Sequence, residues 1–205
     1  MTALDTGSPA TAADRLAAFA GALDDCHERA VPGGVVVSPA GWAVASVRRL
    51  GDGAPVPDGS GVLAARHGPR ASDAAALGTF REALLELHRR TLRGVLDAAV
   101  ARLDRRESEG VPLLGRQLVR GSVADVALAL SQARDVLRLP RPTAGRHHRV
   151  HRELVDAGRT ALKLYGAFGF TAEGPGGLLH LTELLGDTYL YPEGPEDPEA
   201  EAGHE

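Results

Sequence analysis

The chain reads as an all-α protein: an antiparallel up-and-down helical bundle, preceded by a short helix and a small β-rich segment. Three observations predict this. Apolar residues recur at helical spacing over long proline-free stretches of the chain's second half. Gly110-Val111-Pro112 and Pro140-Arg141-Pro142 separate those stretches by the short connections that antiparallel neighbours need. Alanine and leucine carry most of the 43% hydrophobic content, whereas aromatic residues make up only 4%, which favours close helix packing over sheet.

The first helix is expected from Thr11 to about Ala30, with Leu16, Phe19, Ala20 and Leu23 on one face and Thr11 or Asp14 as cap. Pro32-Gly33-Gly34 ends it. Val35 to Val37, Trp42 to Val47 and Gly61 to Ala64 then read as short strands between turn residues. Three such strands need a helical surface or another chain to cover them. The longest helix is expected from an N-cap at Ser72 to about Glu109, ~50 Å at 1.5 Å per residue. A second spans about Gly115 to Leu139, with Leu118, Val119, Val123, Val126, Ala127, Leu130, Ala133 and Leu137 inward. A third runs from about Gly145 to Tyr165, inward through Val150, Leu154, Ala157, Ala161, Leu162 and Leu164, and a shorter fourth from about Gly176 to Thr188. The organisation is thus a disordered stretch 1–10, a helix and β-rich segment 11–70, a bundle 71–190 and an acidic disordered tail 191–205.

Bulk properties restrict the function. A formal charge of -4 argues against nucleic-acid binding, which favours a basic excess. The single cysteine, Cys26, precludes an intrachain disulfide and reads as a structural thiol. No apolar run nears the ~20 residues that span a bilayer, and the N-terminus lacks the pattern of a secretory signal, so a soluble cytoplasmic protein is expected. His147, His148 and His151, interleaved with Arg141, Arg146, Arg149 and Arg152, read as a basic, solvated helix start and not as a metal site, because no Glu-x-x-His partner accompanies them. Tyr189 and Tyr191 read as packing or tail residues.

Three segments, in order, carry a family resemblance. Leu96 to Leu113 ends in Arg106-Glu107-Ser108-Glu109-Gly110-Val111-Pro112-Leu113; Leu118 to Arg134 holds Ala124-Asp125-Val126-Ala127; and Ala161 to Pro175 contains Gly166-Ala167-Phe168-Gly169-Phe170-Thr171-Ala172-Glu173-Gly174-Pro175. Together they resemble the C-terminal helical domain of acyl-CoA dehydrogenases, with its R-x-Q-F-G-x-P-L, A-D-x-A and A-x-Q-x-H-G-G-x-G-F-T-x-E-x-P motifs. The chain is identified as a truncated, divergent member. The resemblance implies an oxidoreductase subunit acting on CH-CH groups of an acyl thioester, on CoA or an acyl carrier, with FAD at a subunit interface. It also implies homo- or hetero-oligomers of acyl-CoA-dehydrogenase-like chains.

By that resemblance Arg106 would contact the FAD diphosphate, a task suited to a planar fork of donors. Ser108 and Glu109 replace the glutamine and phenylalanine that pack on the cofactor. Lys163, Tyr165 and Ala167 replace the glutamine, histidine and second glycine of the last motif, while Gly166 and Gly169 remain and allow close backbone approach. The implied cofactor-binding set is Arg106, Ser108, Lys163, Tyr165, Gly166 and Gly169. The family's catalytic glutamate has two positions. Glu193, in Leu190-Tyr191-Pro192-Glu193-Gly194, is nearest to one; near the other stand Phe80 and Arg81, then Glu82 and Glu86. Few residues precede the long helix, where the family places two further domains, and the strands of 34–67 read as a β remnant. The alternative reading is a non-catalytic scaffold or regulatory bundle that has lost flavin chemistry.

Overall fold

A computed structural model describes residues 11–56, 60–67, 71–140 and 143–191. The stretch 1–10 and the acidic stretch beyond Tyr191 lie outside the described residues. Helix α1 spans Ala12–Ala30. A capping box starts it: Thr11 Oγ1 accepts from the Asp14 amide at 3.1 Å, and the Asp14 carboxylate accepts from the Thr11 amide at 2.9 Å. Strand β1, Trp42–Ser46, leads into a single turn α2, Val47–Leu50, then into β2, Ala54–Pro55, and β3, Val62–Arg66. These strands form an antiparallel sheet in the order β1-β3-β2, with Val44 opposite Ala64.

Helix α3, Ala74–Asp104, is the axis of the bundle and is ~46 Å long at 1.5 Å per residue. Its cap is Asp73, whose Oδ1 accepts from the Ala76 amide at 2.8 Å, and not Ser72. The Ser72 hydroxyl instead accepts from the Val37 amide at 3.0 Å. The helix stops five residues before Glu109. Glu109 and Gly110 both take positive φ, 58° and 75°, which turns strands β4, Glu107–Ser108, and β5, Val111–Pro112, into a hairpin. Helices α4, Gln117–Leu137, α5, Ala144–Tyr165, and α6, Gly176–Tyr189, complete the bundle around α3. Phe80, Leu85, Leu92 and Ala99 of α3 are fully buried, as are Leu154 and Ala161 of α5 and Leu181 and Leu185 of α6.

Three further sequence expectations are corrected. Val35 to Val37 is extended but unpaired with any strand, because side chains and the Ser72 amide, which donates to Val37 C=O at 3.1 Å, take its backbone groups. Val36 N–H donates to His27 Nδ1 at 3.0 Å, and Val36 C=O accepts from the Tyr189 hydroxyl at 3.1 Å. On α4 the inward stripe is Val119, Val123, Val126, Leu130, Ala133 and Leu137; Leu118 is 87% exposed and Ala127 also faces out, one position off the stripe in each case. His147 and His151 are not solvated. They continue the inward stripe of α5 one and two turns before Leu154, and α3 and α6 cover them. The His151 ring lies over Gly186 of α6, where any Cβ would overlap it, and its centroid is 5.4 Å from that of His88 on α3.

Polar side chains fasten the sheet to the bundle: at the end of β1 the Asp24 carboxylate of α1 accepts from the Ser46 amide at 3.2 Å and the Ser46 hydroxyl at 2.6 Å, and at its middle His27 and Tyr189 take over. Because His27 Nδ1 accepts from Val36, its Nε2 carries the proton and donates to Val44 C=O at 2.8 Å. The Tyr189 hydroxyl accepts from Val44 N–H at 2.8 Å while donating to Val36 C=O. Between them lies Phe80, its ring centroid 4.5 Å from His27 and 4.7 Å from Tyr189. Substituting Tyr189 with Phe leaves two buried backbone groups unpaired and should cost about 2–4 kcal/mol by urea denaturation; an unchanged midpoint would refute this role.

Burial lowers the pKa of His27 to about 4 and that of His88 to about 3. Both imidazoles are neutral in the folded state, and the unfolded chain takes up protons at the ordinary value of about 6.5. Stability is therefore full above that value and declines as pH falls. With two protons bound by the unfolded chain only, the slope near pH 5 should be roughly 2.7 kcal/mol per pH unit. Denaturation at pH 7, 6 and 5 measures it; a flat profile would contradict neutral burial.

Candidate functional site

A groove of about 800 Å³ lies between the antiparallel α1 and α3. Its floor follows one stripe of α3, Leu87, Thr91, Gly94 and Ala98, facing Ala18, Phe19 and Ala22 of α1. The residues are small where a tightly packed pair would interdigitate larger ones, and a Cβ at Gly94 would meet no atom within 4 Å. The far end is closed by Tyr165, the last residue of α5, and by the segment after it, which contributes Phe168, Glu173 and Pro175.

That end is cationic. Arg15, Arg102 and Arg105 converge on it, and Arg90 stands farther along the groove. The Arg102 guanidinium lies 4.4 Å from the centroid of Phe168, a cation–π contact, while its Nε is buried without a hydrogen-bond partner among the described residues. Arg15 donates to the Glu173 carbonyl at 2.8 Å, which ties α1 to the closing segment. Glu173 is the only carboxylate among the groove's lining residues. An apolar floor with guanidinium forks at one end suits a ligand that joins a hydrocarbon to a phosphate or carboxylate.

The closing segment is built by its glycines. Gly166 caps α5 at φ 58°, ψ -145°, a region open in practice only to glycine, and a short 3-10 turn follows over Gly166–Phe170. A Cβ on Gly169 would press within 3.0 Å of the Leu162 carbonyl oxygen. The Tyr165 hydroxyl donates to the Val95 carbonyl at 2.6 Å, so this side chain fixes α5 to α3 and offers the groove only its ring.

The other residues singled out by sequence fall in different places. Arg106 and Lys163 are exposed at the C-terminal ends of α3 and α5, which the Arg102–Phe168 contact places at the same end of the bundle. Ser108 sits in the β4–β5 hairpin, where its carbonyl accepts from Arg116 at 3.2 Å. Glu109 is 85% exposed and ion-paired with Arg116 at 3.1 Å, which compensates its charge. Glu82 is exposed in a separate cleft with Glu86, Arg89, Arg134 and Arg138, away from the groove. Phe80 is sealed in the His27–Tyr189 stack. Glu193 lies outside the described residues. Sequence reading missed the groove arginines. The available signal was the run Thr91, Gly94, Ala98 within a stripe otherwise rich in leucine and valine, followed by Arg102 and Arg105 at helical spacing.

The fold is that of an acyl-CoA dehydrogenase-like helical bundle. Butyryl-CoA dehydrogenase from Megasphaera elsdenii is a similar solved structure, with a TM-score of 0.52 and 14% identity over 74% of this chain and 45% of that one. The chain thus spans less than half the length of that enzyme. No family model and no curated protein sequence matches it. No described helix is long and apolar enough to cross a membrane.

The turn generates its own prediction. A Cβ at Gly166 has open space around it, so Gly166→Ala should cost about 1–3 kcal/mol through backbone conformation alone. A urea midpoint unchanged by this substitution would show that the turn relaxes freely.

Proposed function

We propose that the chain is an acyl-CoA-dehydrogenase-like subunit that binds an acyl thioester and works with a partner subunit in an FAD-dependent oxidation. The groove carries this reading. Its small-residue floor suits an acyl chain, and Arg102 and Arg105 suit the phosphates of CoA or of a carrier's pantetheine arm. FAD, when bound, would supply the hydride acceptor. On this chain the residues that fit it are Arg106 and Lys163, exposed cations at one end of the bundle beside the glycine turn. Gly166 and Gly169 keep that turn compact.

The proton-abstracting carboxylate is assigned to the partner or to Glu193, which lies outside the described residues. Glu82 stands in another cleft, and the position of Phe80 is filled by packed aromatic rings. Proton transfer needs a carboxylate within hydrogen-bond reach of the reacting carbon, which these two positions do not offer.

Calorimetric titration of the purified chain with octanoyl-CoA tests the reading. Wild type should bind saturably. Arg102→Ala with Arg105→Ala should weaken binding at least ~10-fold, since charge-assisted hydrogen bonds contribute about 1.5–3 kcal/mol each. Gly94→Leu should block the groove. Absence of binding to octanoyl-CoA and to FAD, alone or mixed with a full-length dehydrogenase, would reject the subunit role in favour of a scaffold.

A further inference from the structure

The groove between α1 and α3 contains a polar group that its apolar floor does not explain. Three of its lining residues carry a hydroxyl: Thr11, Thr91 and Tyr165. Two of these are engaged. Thr11 Oγ1 donates to Asp14 Oδ2 at 2.8 Å, and the Tyr165 hydroxyl donates to the Val95 carbonyl at 2.6 Å. Thr91 is half-buried, and its side chain makes no hydrogen bond among the described residues. A threonine inside a helix can bond back to the carbonyl one turn earlier. Thr160 does so to Asp156 at 3.1 Å, and Thr188 to Leu184 at 2.8 Å. Thr91 does not, so its hydroxyl is left to a ligand in the groove.

The place of Thr91 along the floor matters as much. It stands eleven residues before Arg102 on one stripe of α3, a distance of ~16 Å at 1.5 Å per residue. A phosphopantetheine arm has about fourteen bonds between its phosphorus and the thioester carbon, and at three bonds per residue length of ~3.5 Å its extended span is also ~16 Å. With the phosphate on Arg102 and Arg105, the thioester carbonyl therefore comes level with Thr91. Leu87, Phe19 and Ala22 then offer apolar walls to the acyl chain. Arg90, the other polar side chain at this level, is 53% exposed, and its Nε lies 3.9 Å from the Glu86 carboxylate.

We propose that Thr91 holds the thioester carbonyl, donating its hydroxyl hydrogen to the carbonyl oxygen. The assignment rests on the reading of the groove as an acyl-thioester site. A donor at that oxygen fixes the carbonyl along the groove. It also favours the negative charge that builds there when the adjacent carbon loses a proton.

Calorimetric titration of the purified chain with octanoyl-CoA and with S-octyl-CoA, a thioether with CH2 in place of the carbonyl, tests the proposal. Wild type should bind the thioester roughly 3–10-fold more tightly than the thioether, the range of one neutral hydrogen bond. Thr91→Val has nearly the same shape without the hydroxyl. It should weaken only the thioester, bind the two ligands equally and keep the urea midpoint. Thr91→Ser should retain the preference. If wild type binds neither ligand, the acyl-thioester reading fails and the assignment with it. The assignment of Thr91 alone is overturned if wild type binds both ligands equally, if the preference survives in Thr91→Val, or if that variant loses both ligands to the same extent.

Discussion

The hydrogen-bonded stack of His27, Phe80 and Tyr189 is the constraint on which the rest of the structure depends. A three-stranded sheet of this size has too little surface to bury its own edges. Its outer strand β1 and the extended Val35–Val37 segment present backbone groups that no other strand pairs, and a buried unpaired amide or carbonyl is costly. His27 from α1 and Tyr189 from α6 supply those partners, one from each side of Phe80 on α3. Three helices and the sheet therefore converge on one point. That convergence holds α1 against α3, and the groove lies along the remainder of the same contact.

The same point explains why chemistry is displaced from the start of α3. A packed aromatic cluster occupies the place where the family resemblance would look for a catalytic carboxylate, and the nearest acid, Glu82, turns toward a different cleft. Open space is instead kept farther along α3, where Gly94 and Ala98 are too small to meet α1. One helix therefore has a closed end that stabilises and an open end that can take a ligand.

Buried histidines give the bundle a second character. His27 is fully paired and works as a neutral two-ended linker. His88, His147 and His151 each retain a buried ring nitrogen without a partner among the described residues. In a bundle otherwise packed from alanine, leucine and valine, these rings add polarity that is only partly matched, His151 Nε2 meeting the Asp187 carboxylate at 3.6 Å. The bundle is accordingly poised to lose stability on mild acidification, because the unfolded chain can charge these rings where the folded one resists it.

Much of the architecture was legible in the sequence because helical spacing and proline–glycine punctuation are local. Thr11 with Asp14 marks the start of α1, and the apolar stripes of α3, α5 and α6 follow from period alone. Local information failed where long-range partners decide. Val35 to Val37 has strand composition, but its hydrogen bonds go to the side chains of residues 27, 72 and 189 and to the Ser72 amide, so no ladder forms. His147 and His151 have the composition of a solvated helix start, yet they are buried because α6 folds back over them with Gly186 beneath a ring. The candidate site divided in the same way. The glycine turn at Gly166 was readable because positive φ selects the residue type. The arginine-ended groove was not, because a cavity is set by the spacing between two helices, and only tertiary packing decides how closely α1 approaches α3.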